Sequence, residues 1–274
     1  MKSHGKFILV ILLMLVAVVV IEYRMPRRFI WQPTFSHSDA QPFGCLVFDS
    51  VMKASLPNGY TVDRRTLFQL FQDGVITHPK FYKDSVATSP KSLVIITKEM
   101  IGEGTRDYIL QLADEGNTVM VATTYLNEWA DTLGFDFRWN NSFILSEVAG
   151  NNIEKDTLKW VSDMPKDSVY AQVPLWQSVY PQMIERTLLL PDSVPHDNLL
   201  IYNGTREGDS VCEPVAVSFS IGSGELILVS SPLLLTNYMT LDGNGSALQG
   251  RLMNRLKANP VIRTEAYMSV TAQE

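Results

Sequence analysis

The chain has 274 residues, 46% of them hydrophobic, and a formal net charge of −6. The charge argues against a nucleic-acid or anionic-lipid surface, and the apolar content can supply the core of one large domain. Two cysteines, Cys45 and Cys212, rule out a disulfide framework and read first as small apolar fillers, with a single disulfide or a catalytic thiol as the alternatives.

Phe7 to Ile21 form one uncharged apolar run between Lys6 and Glu22. The run is short for a hydrocarbon core of about 30 Å, but Lys6 and Arg24 can snorkel and Tyr23 suits an interface. No small-x-small site follows, since Val18 to Tyr23 are large side chains, so an uncleaved signal anchor is preferred to a cleaved signal peptide. The expectation is a single transmembrane helix over residues 7–23 with the lipid bilayer as its partner. It places a cytoplasmic tail at 1–6 and the C-terminal part in the periplasm, at a bacterial inner membrane. Lys2 and Lys6 before the run nearly balance Arg24, Arg27 and Arg28 after it, so the charge count alone leaves the orientation open.

An extended linker is expected over 24–41, held by Pro33, with capping side chains at Ser36 to Asp39. Phe43, Leu46, Val47, Ser50, Val51 and Ala54 recur at helical spacing until Pro57, Asn58 and Gly59. A strand at Tyr60 to Asp63 and a helix at Leu67 to Gln72 follow. Leu93 to Thr97 is continuously apolar and β-branched, as in a parallel strand buried on both faces. Thr105 caps a helix bearing Tyr108, Ile109, Leu112 and Ala113, Gly116 stops it, and Thr118 to Ala122 is a second buried strand. This is a βαβ unit. A helix from Tyr125 to Leu133 ends at Gly134. From about 135 to 205 short alternating segments (Phe135 to Trp139, Ser142 to Glu147, Asp156 to Val161, Ser168 to Val173) predict an antiparallel insertion or sheet extension. Pro214 to Ser220 and Glu225 to Ser230 form a hairpin through Gly222, Ser223 and Gly224. The last helix carries Leu248, Leu252, Met253 and Leu256. The α/β domain is expected over 42–262, with a flexible tail at 263–274.

The segment from Trp31 to Met52 (WQPTFSHSDAQPFGCLVFDSVM) is similar to the opening of the family called domain of unknown function 4350. The stretch from Gly222 to Leu256 resembles its end and that of glutamine-amidotransferase-like domains, through Gly222, Gly224, Ser231, Pro232, Thr236, Asn237, Asn244 and Ala247. The resemblance implies a three-layer Rossmann-like α/β domain, and family members often encoded beside MoxR-type AAA+ ATPases. Active amidotransferases need a cysteine on a strand-to-helix elbow with a histidine base. Cys45 lies in a predicted helix and no Gly-x-Cys-x-Gly occurs, so the catalytic pattern is missing here.

Chemical candidates are few. His4, His37, His78 and His196 lack ligand spacing, so no metal site or cofactor is expected; Asp39, beside His37, is better used as a cap. Gly222-Ser223-Gly224 leads into a strand and therefore lacks the helix N-terminus of a phosphate loop. Ser230, Ser231, Thr236 and Asn237 follow a strand's carboxyl end, where open α/β sheets bind ligands, although a self-satisfied turn is the competing reading. The five tryptophans read mainly as core, with glycan stacking as an alternative. Asn140 to Ser142, Asn203 to Thr205 and Asn244 to Ser246 read as loop signals. The leading expectation is a membrane-tethered, non-catalytic binding or scaffold module of the cell envelope. Its partner is a protein, within an AAA+-linked assembly system, and not nucleic acid. The alternatives are a hydrolase or transferase using Ser231, Thr236 and Asn237, and an envelope glycan binder.

Overall fold

A computed structural model describes residues 2–24, 29–76, 90–140, 154–162 and 175–268. His78, the expected strands at 142–147 and 168–173, and the end of the chain after 268 lie outside the described residues, as does the side chain of His4. The chain divides into two units, Met1–Ile30 and Trp31–Glu274.

The first unit holds helix α1 (Lys2–Arg24). The expected transmembrane helix is corrected here: among the described residues no helix is long and apolar enough to cross a membrane. The uncharged run from Phe7 to Ile21 reaches about 22 Å at 1.5 Å per residue, against a hydrocarbon core of about 30 Å.

The second unit is a mixed α/β domain. Its strands are β1 (Tyr60–Asp63), β2 (Ser92–Thr97), β3 (Thr118–Thr123), β4 (Asp136–Trp139), β5 (Asp156–Trp160), β6 (Trp176–Val179), β7 (Arg186–Leu189), β8 (Asp197–Arg206), β9 (Asp209–Ile221), β10 (Gly224–Val229) and β11 (Val261–Thr264). Nine of them form one sheet in the order β1-β11-β2-β3-β10-β9-β8-β5-β6. From β1 to β10 the neighbours run parallel, and from β10 to β6 antiparallel. β4 and β7 pair separately as a two-stranded antiparallel sheet. The expected insertion therefore does two things: part of it extends the main sheet, and β4–β7 stands apart. This mixed nine-stranded sheet replaces the Rossmann-like domain expected behind a membrane span.

The inner parallel strands β2, β3 and β10 are buried on both faces, and their alternate residues feed two cores. Val94, Ile96, Met120, Ala122, Ile227 and Val229 pack with α2 (Leu46–Ser55) and the C-terminal helices α6 (Asn237–Leu241) and α7 (Gly245–Asn254). Leu93, Ile95, Val119, Val121, Leu226 and Leu228 share the opposite core with α3 (Leu67–Gln72), α4 (Glu103–Asp114) and α5 (Asn127–Leu133). Period-2 alternation across a sheet covered on both sides explains why these strands read as unbroken apolar runs. At the β9–β10 turn a Cβ on Gly224 would sit 2.2 Å from the Asn117 carbonyl, so only glycine fits against the α4–β3 connection.

Four sequence expectations change. α2 begins at Leu46, with Cys45 at its N-cap. Its buried face is Phe48, Asp49 and Met52, whereas Leu46, Ser50 and Ala54 are exposed. The expected apolar stripe was displaced because a charged residue, Asp49, points inward to meet a buried arginine. The linker expected up to residue 41 is packed from Trp31 onward, with Phe35 and Ser36 buried. The expected tail begins inside β11, whose Arg263 and Thr264 are enclosed between β1 and β2. Asn203 to Thr205, read as a loop signal, lies within β8.

Candidate ligand cleft

The carboxyl ends of β2 and β3 open into a cleft of about 620 Å³. Thr97 Oγ1 donates to the Tyr267 carbonyl at 2.5 Å and accepts the Glu99 amide at 2.8 Å, which turns the chain and delivers Lys98, Met100 and Ile101 to one wall. Thr123 Oγ1 likewise accepts the Tyr125 amide at 3.1 Å, so Tyr125 and Asn127 leave β3 toward the same space. These are short threonine turns that satisfy the backbone where the sheet stops.

The opposite wall comes from the β4–β7 pair. Trp139 and Arg186 are direct cross-strand partners, and the Arg186 guanidinium lies 3.7 Å from the centre of the Trp139 ring. Such a pair is worth about 0.5–1 kcal/mol at an exposed site. Behind it, Arg206 binds Glu213 at 2.9 Å, Thr187 Oγ1 at 2.9 Å and Asn140 Oδ1 at 3.1 Å, tying β4 and β7 to the main sheet. Glu185, just before β7, accepts Lys98 Nζ at 2.5 Å, bridging the two walls. Its second oxygen, Oε2, is buried without a hydrogen-bond partner among the described residues. Met100, Tyr125 and Trp139 are the exposed large side chains of the cleft, Trp139 retaining 54% of its surface.

Ser230, Ser231, Thr236 and Asn237 lie together near this edge, but all four are enclosed. Ser230 Oγ donates to the Arg186 carbonyl at 2.7 Å, and Ser231 Oγ accepts the Glu185 amide at 3.1 Å. Thr236 Oγ1 donates to the Leu233 carbonyl at 2.7 Å. Asn237 Oδ1 accepts the Val47 amide at 2.7 Å, and its Nδ2 donates to the carbonyls of Asp39 and Gln41 at 2.9 and 2.8 Å. None of the four lines the cleft. The two serines position Glu185 and Arg186 from behind, and Asn237 caps α2. The cap expected from Asp39 is thus supplied by a residue distant in sequence, while the Asp39 carboxylate accepts Thr34 Oγ1 at 2.5 Å and the Gln41 amide at 2.9 Å.

A second polar cluster centres on Arg263, which has no exposed surface. Its guanidinium donates to Asp49 Oδ2 and to the Phe35 carbonyl, and lies 3.4 Å from Glu265 Oε1. Tyr60 donates to Asp49 Oδ1 at 2.6 Å, and the His37 ring meets Glu265 Oε2 at 2.6 Å. His37 therefore pairs with Glu265 rather than with its sequence neighbour Asp39. Burial raises the Asp49 carboxyl above its usual range, opposed by the Arg263 charge. Burial also pushes the Cys45 thiol up to about 12, and its Sγ donates to the Leu235 carbonyl at 3.2 Å. Cys212 is exposed in β9, and both thiols are free. Among the described residues no group of three His, Cys, Asp or Glu could hold a metal ion.

The residues that sequence reasoning missed are Lys98, Tyr125, Glu185 and Arg186, which have no motif. Position after a buried parallel strand was a usable signal for the first two. Nothing local marks Glu185 or Arg186, because their place depends on how β4–β7 docks.

The fold and its cleft define an α/β domain with helices on both sheet faces and a polar, aromatic-rimmed depression at the carboxyl ends of two parallel strands. The chain belongs to the family described as domain of unknown function DUF4350, whose model matches residues 37–252. A comparison with curated proteins gives no match. Among solved structures, the β-galactosidase from Bacillus circulans sp. alkalophilus is 12% identical over 61% of this chain and 22% of its own, with a TM-score of 0.36. The exo-β-1,4-mannosidase Op5Man5 from Opitutaceae bacterium strain TAV5 is 10% identical over 85% of this chain and 35% of its own, at 0.42. The mmIFT52 N-terminal domain is 15% identical over 60% and 76%, at 0.39. The chain spans about a fifth of the length of the β-galactosidases it matches, and these similarities carry no functional argument.

Proposed function

We propose that the domain is a non-catalytic binding module whose cleft between the β2–β3 ends and the β4–β7 pair receives a segment of a partner protein. The observation that carries this reading is the division of labour at the sheet edge. Exposed Met100, Tyr125 and Trp139 rim an open cleft, whereas the hydroxyls of Ser230, Ser231 and Thr236 are consumed in buried hydrogen bonds. Large, rigid aromatic and flexible methionine side chains around paired charges are the composition of protein recognition surfaces. The sealed Cys45 thiol supports the same reading, because a nucleophile needs access and an activated thiolate. The partner class implied by the family resemblance is a MoxR-type AAA+-linked assembly in the bacterial cell envelope.

A photo-crosslinking amino acid at Met100 or Tyr125 in the full chain tests the proposal in cells. The expected result is one shared protein adduct from both positions, lost on Trp139→Ala and absent when the probe sits at Leu241, on another exposed surface. Equal labelling from Leu241 would remove the cleft from the reading. A hydrolytic activity lost on Ser231→Ala with folding intact would replace it by the enzymatic one.

A further inference from the structure

We infer that the cleft contains an anion site, in which Arg186, with Lys98 lining the same cleft, receives a carboxylate or phosphate group carried by the ligand. The inference rests on the binding reading above and gives the chemistry of what is bound.

Among the described residues Arg186 makes no ion pair with a carboxylate. Its only side-chain hydrogen bond among the described residues is from Nη1 to the Glu185 carbonyl at 3.3 Å; Nε is buried with no partner, and Nη2 has none either. Most other arginines of the domain differ. Arg65, Arg106, Arg138, Arg206, Arg255 and Arg263 each meet an acid within 4 Å. The Arg186 guanidinium lies over the Trp139 ring, a contact that uses none of its N–H donors. A planar guanidinium with unspent Nη donors is the group that recognises carboxylates and phosphates.

The Glu185 charge acts on Arg186 and opposes the effect of burial, but it does not form an ion pair with the guanidinium. Glu185 is spent on Lys98 through Oε1, and Glu128 lies 3.7 Å from Arg106 on α4. Lys98 keeps N–H donors beyond the one given to Glu185. Burial also lowers the pKa of Arg186, a cost that a bound anion would relieve.

The test is a ¹⁹F NMR titration of the full chain labelled with 5-fluorotryptophan, the Trp139 signal being assigned with Trp139→Phe. Inorganic phosphate and N-acetyl-aspartate amide are the two probes, with chloride at matched ionic strength as the control. The expected result is a saturable shift of the Trp139 signal with at least one probe, weakened about tenfold by Arg186→Lys, which keeps charge but not the fork, and abolished by Arg186→Gln. Saturation by phosphate alone assigns a phosphorylated ligand, and by the aspartate probe an acidic side chain. No shift with either probe, or an equal shift in Arg186→Gln, overturns the inference. The protein adduct from Met100 separates the two claims. If it forms undiminished in Arg186→Gln, binding stands and the anion site falls; if it never forms in the wild type, the binding reading has failed by itself.

Discussion

The carboxamide oxygen of Asn237 accepts the backbone N–H of Val47 at 2.7 Å, so a residue of the C-terminal half caps the first helix of the domain. The same side chain donates to Asp39 and Gln41, closing the loop that leads into that helix. Gly44 is part of the arrangement: a Cβ there would come within 2.2 Å of the Asp39 carbonyl.

Asn237→Ala uncaps the Val47 N–H, while the Asp39 and Gln41 carbonyls keep the Leu46 and Gly44 amides, so roughly 1–2 kcal/mol of stability should be lost. Asn237→Asp keeps the acceptor for Val47 but sets a carboxylate oxygen against two carbonyls, so it should not recover the wild-type midpoint. Urea unfolding of the three proteins measures both expectations.

Arg263 is worth more when removed alone than the pair is worth intact. Arg263→Met leaves the Asp49 carboxylate in the interior with Tyr60 as its partner, while Glu265 keeps His37, at a cost of about 3–5 kcal/mol. Adding Asp49→Asn removes the charge left without its counter-ion while retaining an acceptor for Tyr60, and the double variant should be more stable than Arg263→Met. A double variant no better than the single one would show that shape, rather than charge, sets the cost.

Glu213 couples the β4–β7 pair to pH. Burial would raise its carboxyl, but hydrogen bonds from Arg206 and Thr187 outweigh this and hold it below the ordinary 4.5. Its stabilising contribution is therefore complete above about pH 4.5 and fades as pH falls through the lower folded value. The stability gap between wild type and Glu213→Gln should narrow below pH 4.5, as read from chemical unfolding at a series of pH values.

The thiols should separate cleanly under a disulfide reagent at pH 8. Cys212 is exposed and should react in the native protein. Cys45, with its thiol pushed up to about 12 and no exposed surface, should react only after unfolding. Cys212→Ser should leave no rapidly reacting group.

The candidate site shows how far local pattern reaches. Ser231 and Asn237 follow a strand in the sequence, and they sit at the sheet's carboxyl edge. Their side chains face inward, because the turn that follows β10 packs under β7 and against the loop before α2. Lys98 and Tyr125 follow the other two strands of the same edge and face the cleft. Strand position identifies the edge, but side-chain direction depends on what packs above it.

Local pattern determined most of the elements. The capping box of Thr66 and Gln69 at α3 and the β9–β10 hairpin depend on residues close in sequence, and the strands at Tyr60, Leu93 and Thr118 are marked by the composition of their own segments. Only the tertiary structure decided that Val261–Thr264 enters the sheet between β1 and β2, that Asp49 faces inward, and that Arg186 reaches the cleft. Each of these rests on a partner more than a hundred residues away or on a separate sheet's docking. No window of sequence contains both halves of such a contact: a buried charge looks like a surface charge until its counter-ion is in place.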